Sequence, residues 1–167
     1  DQQLERSVAV KLLHQHSATD ERALRTLKEE VQKCLELTHP NIIRIYDLAE
    51  PPEEDAFISM EYVSGEDLHE KLKQHPEGRF SWKEIEPYAL SLCDALEYAH
   101  DQGMVHRDLK PQNLMVTKEN ELKLADFGIA APATGGGDES VPRAGTPIYW
   151  SPQQAQGMNP APTDDIY

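Results

Sequence analysis

Four side chains in this sequence have the types and spacing to work on a phosphate. Asp108, Lys110 and Asn113 fall within His106-Arg107-Asp108-Leu109-Lys110-Pro111-Gln112-Asn113, and Asp126 opens Asp126-Phe127-Gly128. Asp108 can take a proton from a hydroxyl, and Lys110 can neutralise a phosphoryl group in transit. Asn113 and Asp126 offer hard oxygen ligands to Mg²⁺, a cation that takes one or two protein ligands beside phosphate oxygens. Together they form an inventory for moving a phosphoryl group from a metal-bound nucleotide. Between them, Leu114-Met115-Val116 and Leu122-Lys123-Leu124-Ala125 flank the polar tip Thr117-Lys118-Glu119-Asn120-Glu121, which reads as a β-hairpin. The tip lies midway, so the open end brings Asn113 and Asp126 level on strands about 4.8 Å apart. Asp108, five residues before Asn113, then faces the same cavity. A plain polar turn beside an acidic loop would explain neither Lys110 nor the Asp-Phe-Gly.

These residues resemble the catalytic loop and magnesium loop of protein kinases, and Lys110 resembles the serine/threonine type. Val8-Ala9-Val10-Lys11 resembles the third strand of the small lobe. Gly145-Thr146-Pro147-Ile148-Tyr149-Trp150-Ser151-Pro152-Gln153 resembles the substrate-docking segment, in which the resemblance has Thr146 contact Asp108 and Lys110. With Thr38-His39-Pro40-Asn41-Ile42, the style is most like bacterial, Hanks-type kinases.

The resemblance implies ATP with Mg²⁺, Mn²⁺ serving as a substitute, a protein Ser/Thr hydroxyl as acceptor, and autophosphorylation in trans. It implies an α+β, bilobal fold over residues 1–167: a partial small β-sheet lobe with one helix (1–60), a hinge (61–67) and a partial, mainly helical large lobe (68–167). The family's glycine-rich phosphate loop would precede residue 1 and its last helices would follow residue 167. The chain is therefore expected to be an internal fragment, poorly folded and inactive by itself. Ser151-Pro152-Gln153 stands where the family has Ala-Pro-Glu, which weakens one tether.

The elements that must position these groups are legible in outline. Ser7 to Leu13 reads as a strand. Asp20 to Leu37 reads as a helix capped by Thr19 or Asp20, with Leu24, Leu27, Val31, Cys34 and Leu35 at helical spacing. Glu30 sits at the edge of that face, where a lone carboxylate would be solvated. The resemblance gives it another use, pairing with Lys11 to hold that lysine on the α- and β-phosphates. Glu29 is the rival, but Glu30 lies nine residues before His39, as in the family. Ile42–Tyr46 and Phe57–Met60 read as strands around the acidic loop Glu50–Asp55.

Met60-Glu61-Tyr62-Val63-Ser64-Gly65 resembles the hinge. Backbone at Glu61 and Val63 would serve the adenine edge, Ala9 and Met115 its faces, and Met60 the back of the pocket. Asp67 either accepts from a ribose hydroxyl or caps the next helix, with equal weight. Helices are expected near Glu66–His75 and Lys83–Gln102, the second with the stripe Ile85, Ala89, Leu92, Leu96 and Ala99. Gly135-Gly136-Gly137 reads as a loop tip. In the family an arginine such as Arg107 pairs with a phosphorylated activation loop. Ser140, then Thr134, would carry that phosphate, although plain exposed hydroxyls fit both positions as well.

The net charge of −14 excludes nucleic acid and anionic membrane as partners of this surface. No apolar run approaches a membrane span and no signal peptide is present, so a cytoplasmic kinase domain is expected. Cys34 and Cys93 read as inert buried thiols, and of the seven histidines only His106 has an assigned role. Two other functions compete: a pseudokinase or scaffold on the same fold, and, further behind, an antibiotic-phosphorylating small-molecule kinase. The latter group usually lacks Lys110 and the Gly-Thr-Pro segment.

Overall fold

The computed structural model describes residues 7–13, 21–51, 55–127 and 146–167, with the side chains of the first helix described from Lys28 on. The expectations for Thr19 and Asp20, Gly128, Thr134, Gly135–Gly137 and Ser140 lie outside those residues.

Val8–Leu13 forms strand β1, and β2 (Ile45–Ala49) and β3 (Ala56–Glu61) complete an antiparallel sheet in the order β1-β3-β2. The register sets Ala9 opposite Met60 and Lys11 opposite Ile58. Helix α1 (Glu21–Glu36) buries Val31 and Cys34, three residues apart and so on one face, with Leu37 just beyond its end. These join Ile45 and Ile58 of the sheet in one core. A fully buried aliphatic such as Val31 or Ile58 contributes about 1.5–3 kcal/mol over its exposed form.

A second sheet has the order β4-β5-β6, from β4 (Gly65–Asp67), β5 (Leu114–Thr117) and β6 (Leu122–Leu124). The expected hairpin is present, with Leu114 opposite Leu124 and Asn120 at φ 67° in its turn, a conformation that asparagine tolerates. Gly65 is required by contact: a Cβ there would lie 1.9 Å from the Val116 carbonyl oxygen. Helices α2 (Leu68–Gln74) and α3 (Trp82–Asp101) follow β4, and the short α4 (Pro152–Ala155) and α5 (Pro162–Ile166) end the chain. Ala95, Leu96 and Ala99 of α3, with Leu124 and Phe127, extend the α1 core, so one apolar body links the first sheet to the hairpin. The result is α+β, a small sheet with one helix beside a hairpin supported by helices.

Three expectations change. The strand expected over Ile42–Tyr46 starts only at Ile45. Ile42 instead makes a parallel bridge to Leu124, Ile43 N–H donates to the Leu124 carbonyl at 2.9 Å, and Leu124 N–H donates to the Asn41 carbonyl at 2.7 Å. Backbone committed to β6 cannot also join the first sheet. The helix expected from Glu66 starts at Leu68, because Gly65–Asp67 pairs with β5. Cys34 is buried as expected, with its thiol pushed up to about 12 by desolvation and the nearby Glu30, but Cys93 is exposed on α3.

Candidate active site

The loop from α3 to a 3-10 turn at Pro111–Asn113 is built around two buried groups, His106 and Asp165. His106 Nε2 lies 2.7 Å from the Ala125 carbonyl, and Asp108 N–H donates to Nδ1 at 3.3 Å. A carbonyl only accepts and an N–H only donates, so the partners assign the proton to Nε2 and leave the ring neutral. Burial pulls its pKa below the ordinary value, against the Ala125 bond and the surrounding carboxylates. The ring also packs on Phe127, centroids 4.9 Å apart.

Arg107 follows at φ 68°, left-handed backbone that an arginine rarely adopts. It is held from both ends: its N–H donates to Asp165 Oδ1 at 2.9 Å, and its carbonyl accepts from Gln154 Nε2 at 2.9 Å. Asp165 Oδ2 also accepts from His106 N–H and lies 2.8 Å from His100 Nε2.

That loop presents Asp108. Its Oδ2 lies 2.6 Å from Lys110 Nζ and 3.2 Å from Asn113 Nδ2, and its Oδ1 accepts Thr146 N–H at 2.9 Å. Lys110 Nζ also donates to Thr146 Oγ1 at 2.9 Å, so the expected contact of Thr146 with Asp108 and Lys110 is present. Partial burial pushes the Asp108 carboxyl up, but the Lys110 ammonium and the Thr146 and Asn113 donors outweigh it and hold the group below its ordinary value. Asp108 is therefore ionised at neutral pH, as an acceptor for a hydroxyl proton must be.

At the open end of the hairpin, Ala125 N–H donates to the Asn113 carbonyl at 2.8 Å, which sets Asn113 beside Asp126. Asn113 is buried and Asp126 stands at φ 59°, its Oδ1 2.9 Å from Lys11 Nζ. An amide and a carboxylate are a hard-oxygen set that fits Mg²⁺.

The expected Lys11–Glu30 pair is not formed. Glu30 Oε1 bonds Arg107 Nη1 at 2.8 Å, and Glu30 Oε2 and Arg107 Nε are buried with no hydrogen-bond partner among the described residues. Lys11 Nζ instead meets Asp126 Oδ1. Arg107 thus meets Glu30 in this arrangement.

Among the residues expected to meet a nucleotide, β1 and β3 set Ala9 against Met60, and Met115 lies opposite both Asp67 and Lys123. Glu61 N–H donates to the Arg44 carbonyl at 2.8 Å, so of its backbone groups the N–H is already taken. Its side chain meets Lys123 Nζ at 2.6 Å, tying the end of β3 to β6. Val63 is half-buried in the connection that follows. Asp67 caps α2, its Oδ1 accepting Glu70 N–H at 2.9 Å, a bond worth about 1 kcal/mol.

A family model described as "protein kinase domain" matches residues 1–167, the whole chain. The chain belongs to the protein kinase family. Within it the likeness is to the bacterial, Hanks-type serine/threonine branch. It is 36% identical over 168 residues to a probable serine/threonine-protein kinase of Clostridium acetobutylicum, and 36% identical over 173 residues to the serine/threonine-protein kinase PknB of Mycobacterium tuberculosis. All of this chain is covered in both, but only 25% and 27% of those relatives, so it spans about a quarter of their length. The crystal structure of the M. tuberculosis PknI kinase domain superposes with a TM-score of 0.75 at 28% identity, over 95% of this chain and 58% of that one.

Four residues of this kinase site were not found from sequence. Asp165, His100 and Lys123 act through partners remote in the chain. Gln154 carried a partial signal, since Ser151-Pro152-Gln153-Gln154 fits a capping box with Pro at the first helical position.

Proposed function

We propose that the protein carrying this chain transfers the γ-phosphoryl of ATP to Ser or Thr hydroxyls of a protein substrate, including other copies of itself. The observation that carries this reading is the ionised Asp108, fixed by Lys110, Asn113 and Thr146 beside the Asn113–Asp126 ligand pair. Asp108 orients the acceptor hydroxyl and takes its proton, assistance worth about 10²–10⁴-fold. Lys110 neutralises the phosphoryl group as it passes, which matters most where the transition state is loose. Bound by Asn113 and Asp126, Mg²⁺, or Mn²⁺ in its place, would neutralise the charge that develops on the phosphates.

Lys11 reaches the phosphates by leaving Asp126, while Ala9, Met60, the Glu61 carbonyl, Val63 and Met115 enclose the adenine. Asp67 keeps its cap and adds a ribose contact. Residues 1–60, 61–67 and 68–167 then act as small lobe, hinge and large lobe. A phosphate on Ser140 or Thr134 would compete with Glu30 for Arg107. Access to ATP places this domain on the cytoplasmic side. No helix among the described residues is long and apolar enough to cross a membrane.

The test is incubation of the full-length protein with γ-labelled ATP, Mg²⁺ and a mixed Ser/Thr/Tyr substrate. Label on Ser or Thr, lost on chelation and in Lys11→Met, is the expected result. No incorporation, or label confined to Tyr, would contradict the reading.

A further inference from the structure

Gln154 uses both ends of its amide at once. Its Oε1 accepts the Ser151 N–H at 2.9 Å, and its Nε2 donates to the Arg107 carbonyl at 2.9 Å. A carbonyl can only accept and a backbone N–H only donate, so these partners fix which end of the amide is which. Ser151 is itself buried and anchored: its Oγ accepts the Gln154 N–H at 3.0 Å and donates to Asp164 Oδ1 at 2.5 Å. Gln154 is therefore a rigid strut, with one foot on the segment that runs from Thr146 to Ser151 and the other on the loop that presents Asp108.

The foot on the loop falls on its most strained residue. Arg107 has φ 68°, a conformation that persists only where the surroundings over-determine it. Asp165 fixes the N–H of Arg107 and Gln154 fixes its carbonyl. That carbonyl belongs to the peptide plane leading into Asp108, whose carboxylate must stay on Thr146 and Lys110. Rotation of the plane would swing the carboxylate off both.

We infer that Gln154 is a positioning residue for phosphoryl transfer: it locks the peptide plane that carries Asp108 and couples that plane to the segment on which a protein substrate docks. This rests on the kinase reading and deepens it. Gln154 bonds Ser151 and Arg107 and none of the residues assigned to the nucleotide, so its loss should fall on turnover and not on ATP affinity. A residue that merely capped α4 would need only the Ser151 side of its amide. Gln154→Glu separates the two roles, since it keeps an acceptor for Ser151 N–H but sets a carboxylate against the Arg107 carbonyl. Gln154→Met keeps the length of the side chain and removes both bonds.

The experiment measures steady-state transfer to a Ser/Thr peptide by the full-length protein and both variants. At about pH 7.5 Gln154→Glu should lose about 10- to 100-fold in kcat, the scale of a misplaced reacting group, with its KM for ATP within about twofold of the parent. At about pH 5.5 the deficit should shrink several-fold, because a carboxyl pressed against a carbonyl takes up a proton readily and regains a donor. Asp108, held below its ordinary value, stays ionised there. Gln154→Met should show the loss in kcat without the recovery. Parent-like kcat in Gln154→Glu, or a deficit that acidification leaves unchanged, would overturn the inference. If Gln154→Glu does not fold, Gln154→Met decides: lowered kcat at unchanged ATP KM supports the inference and parent-like kcat overturns it. A parent protein that transfers to no substrate fails the kinase reading itself, a result distinct from either.

Discussion

His106 shows how much a single residue can settle. It is fully buried and spends both ring nitrogens, one on the Ala125 carbonyl and one on the Asp108 N–H. A proton on Nδ1 would break the second bond and put a charge into the core beside Phe127. Burial already holds its pKa below the usual value, whereas an unfolded histidine titrates near about 6.5. The unfolded chain therefore binds a proton that the folded chain refuses. Stability attributable to His106 is present above about pH 6.5 and declines as pH falls, by at most about 1.4 kcal/mol per pH unit, until the folded ring titrates. In NMR spectra of the full-length protein, the His106 ring should titrate below the ordinary histidine value of about 6.5. A midpoint at or above that value would contradict this assignment. The Asp108 carboxyl has the same sign: its pKa is also depressed, so any stability it adds is present at neutral pH and is lost only as pH falls below the ordinary carboxylate value.

At the scale of elements, what the sequence revealed was whatever local pattern encodes. The hairpin was readable because two apolar runs flank a symmetric polar tip, and the register Leu114–Leu124 brings Asn113 and Asp126 together as that symmetry requires. Helix α1 and strand β1 announced themselves by period and by β-branched content. Ile42 and Ile43 misled for the same reason. Their composition says strand, but composition does not name a partner, and β6 claimed their backbone before the first sheet could. Glu30 shows a second limit. Spacing placed it on the correct helix and near the cleft, yet which cation it meets depends on how α1 is set against the loop, and Arg107 takes it. Arg107 lies 77 residues from Glu30, 58 from Asp165 and 47 from Gln154, distances over which no periodicity carries a signal.

Over the whole molecule, the apolar body that joins sheet, α1, α3 and hairpin is continuous, but its outer faces are bare. Val10 and Leu12 on β1 are each 54% exposed, Leu90 on α3 is 67% exposed, and Ile148, Ile166 and Tyr167 are exposed by 70–83%. Val10 and Leu12 share one face of β1, and paired apolar side chains bare to water favour association. The 167-residue chain expressed by itself should therefore aggregate or show no cooperative unfolding transition, and should not hydrolyse ATP. A cooperatively melting, ATP-hydrolysing monomer in calorimetry and sedimentation would contradict that expectation. The most direct measurement is γ-labelled phosphate transfer by the full-length Asp108→Asn variant, with nucleotide binding followed in parallel. Asparagine keeps the size of the side chain but cannot take a proton. Transfer should fall by at least about 10²-fold while ATP binding stays within about twofold of the parent. Undiminished transfer would contradict the account.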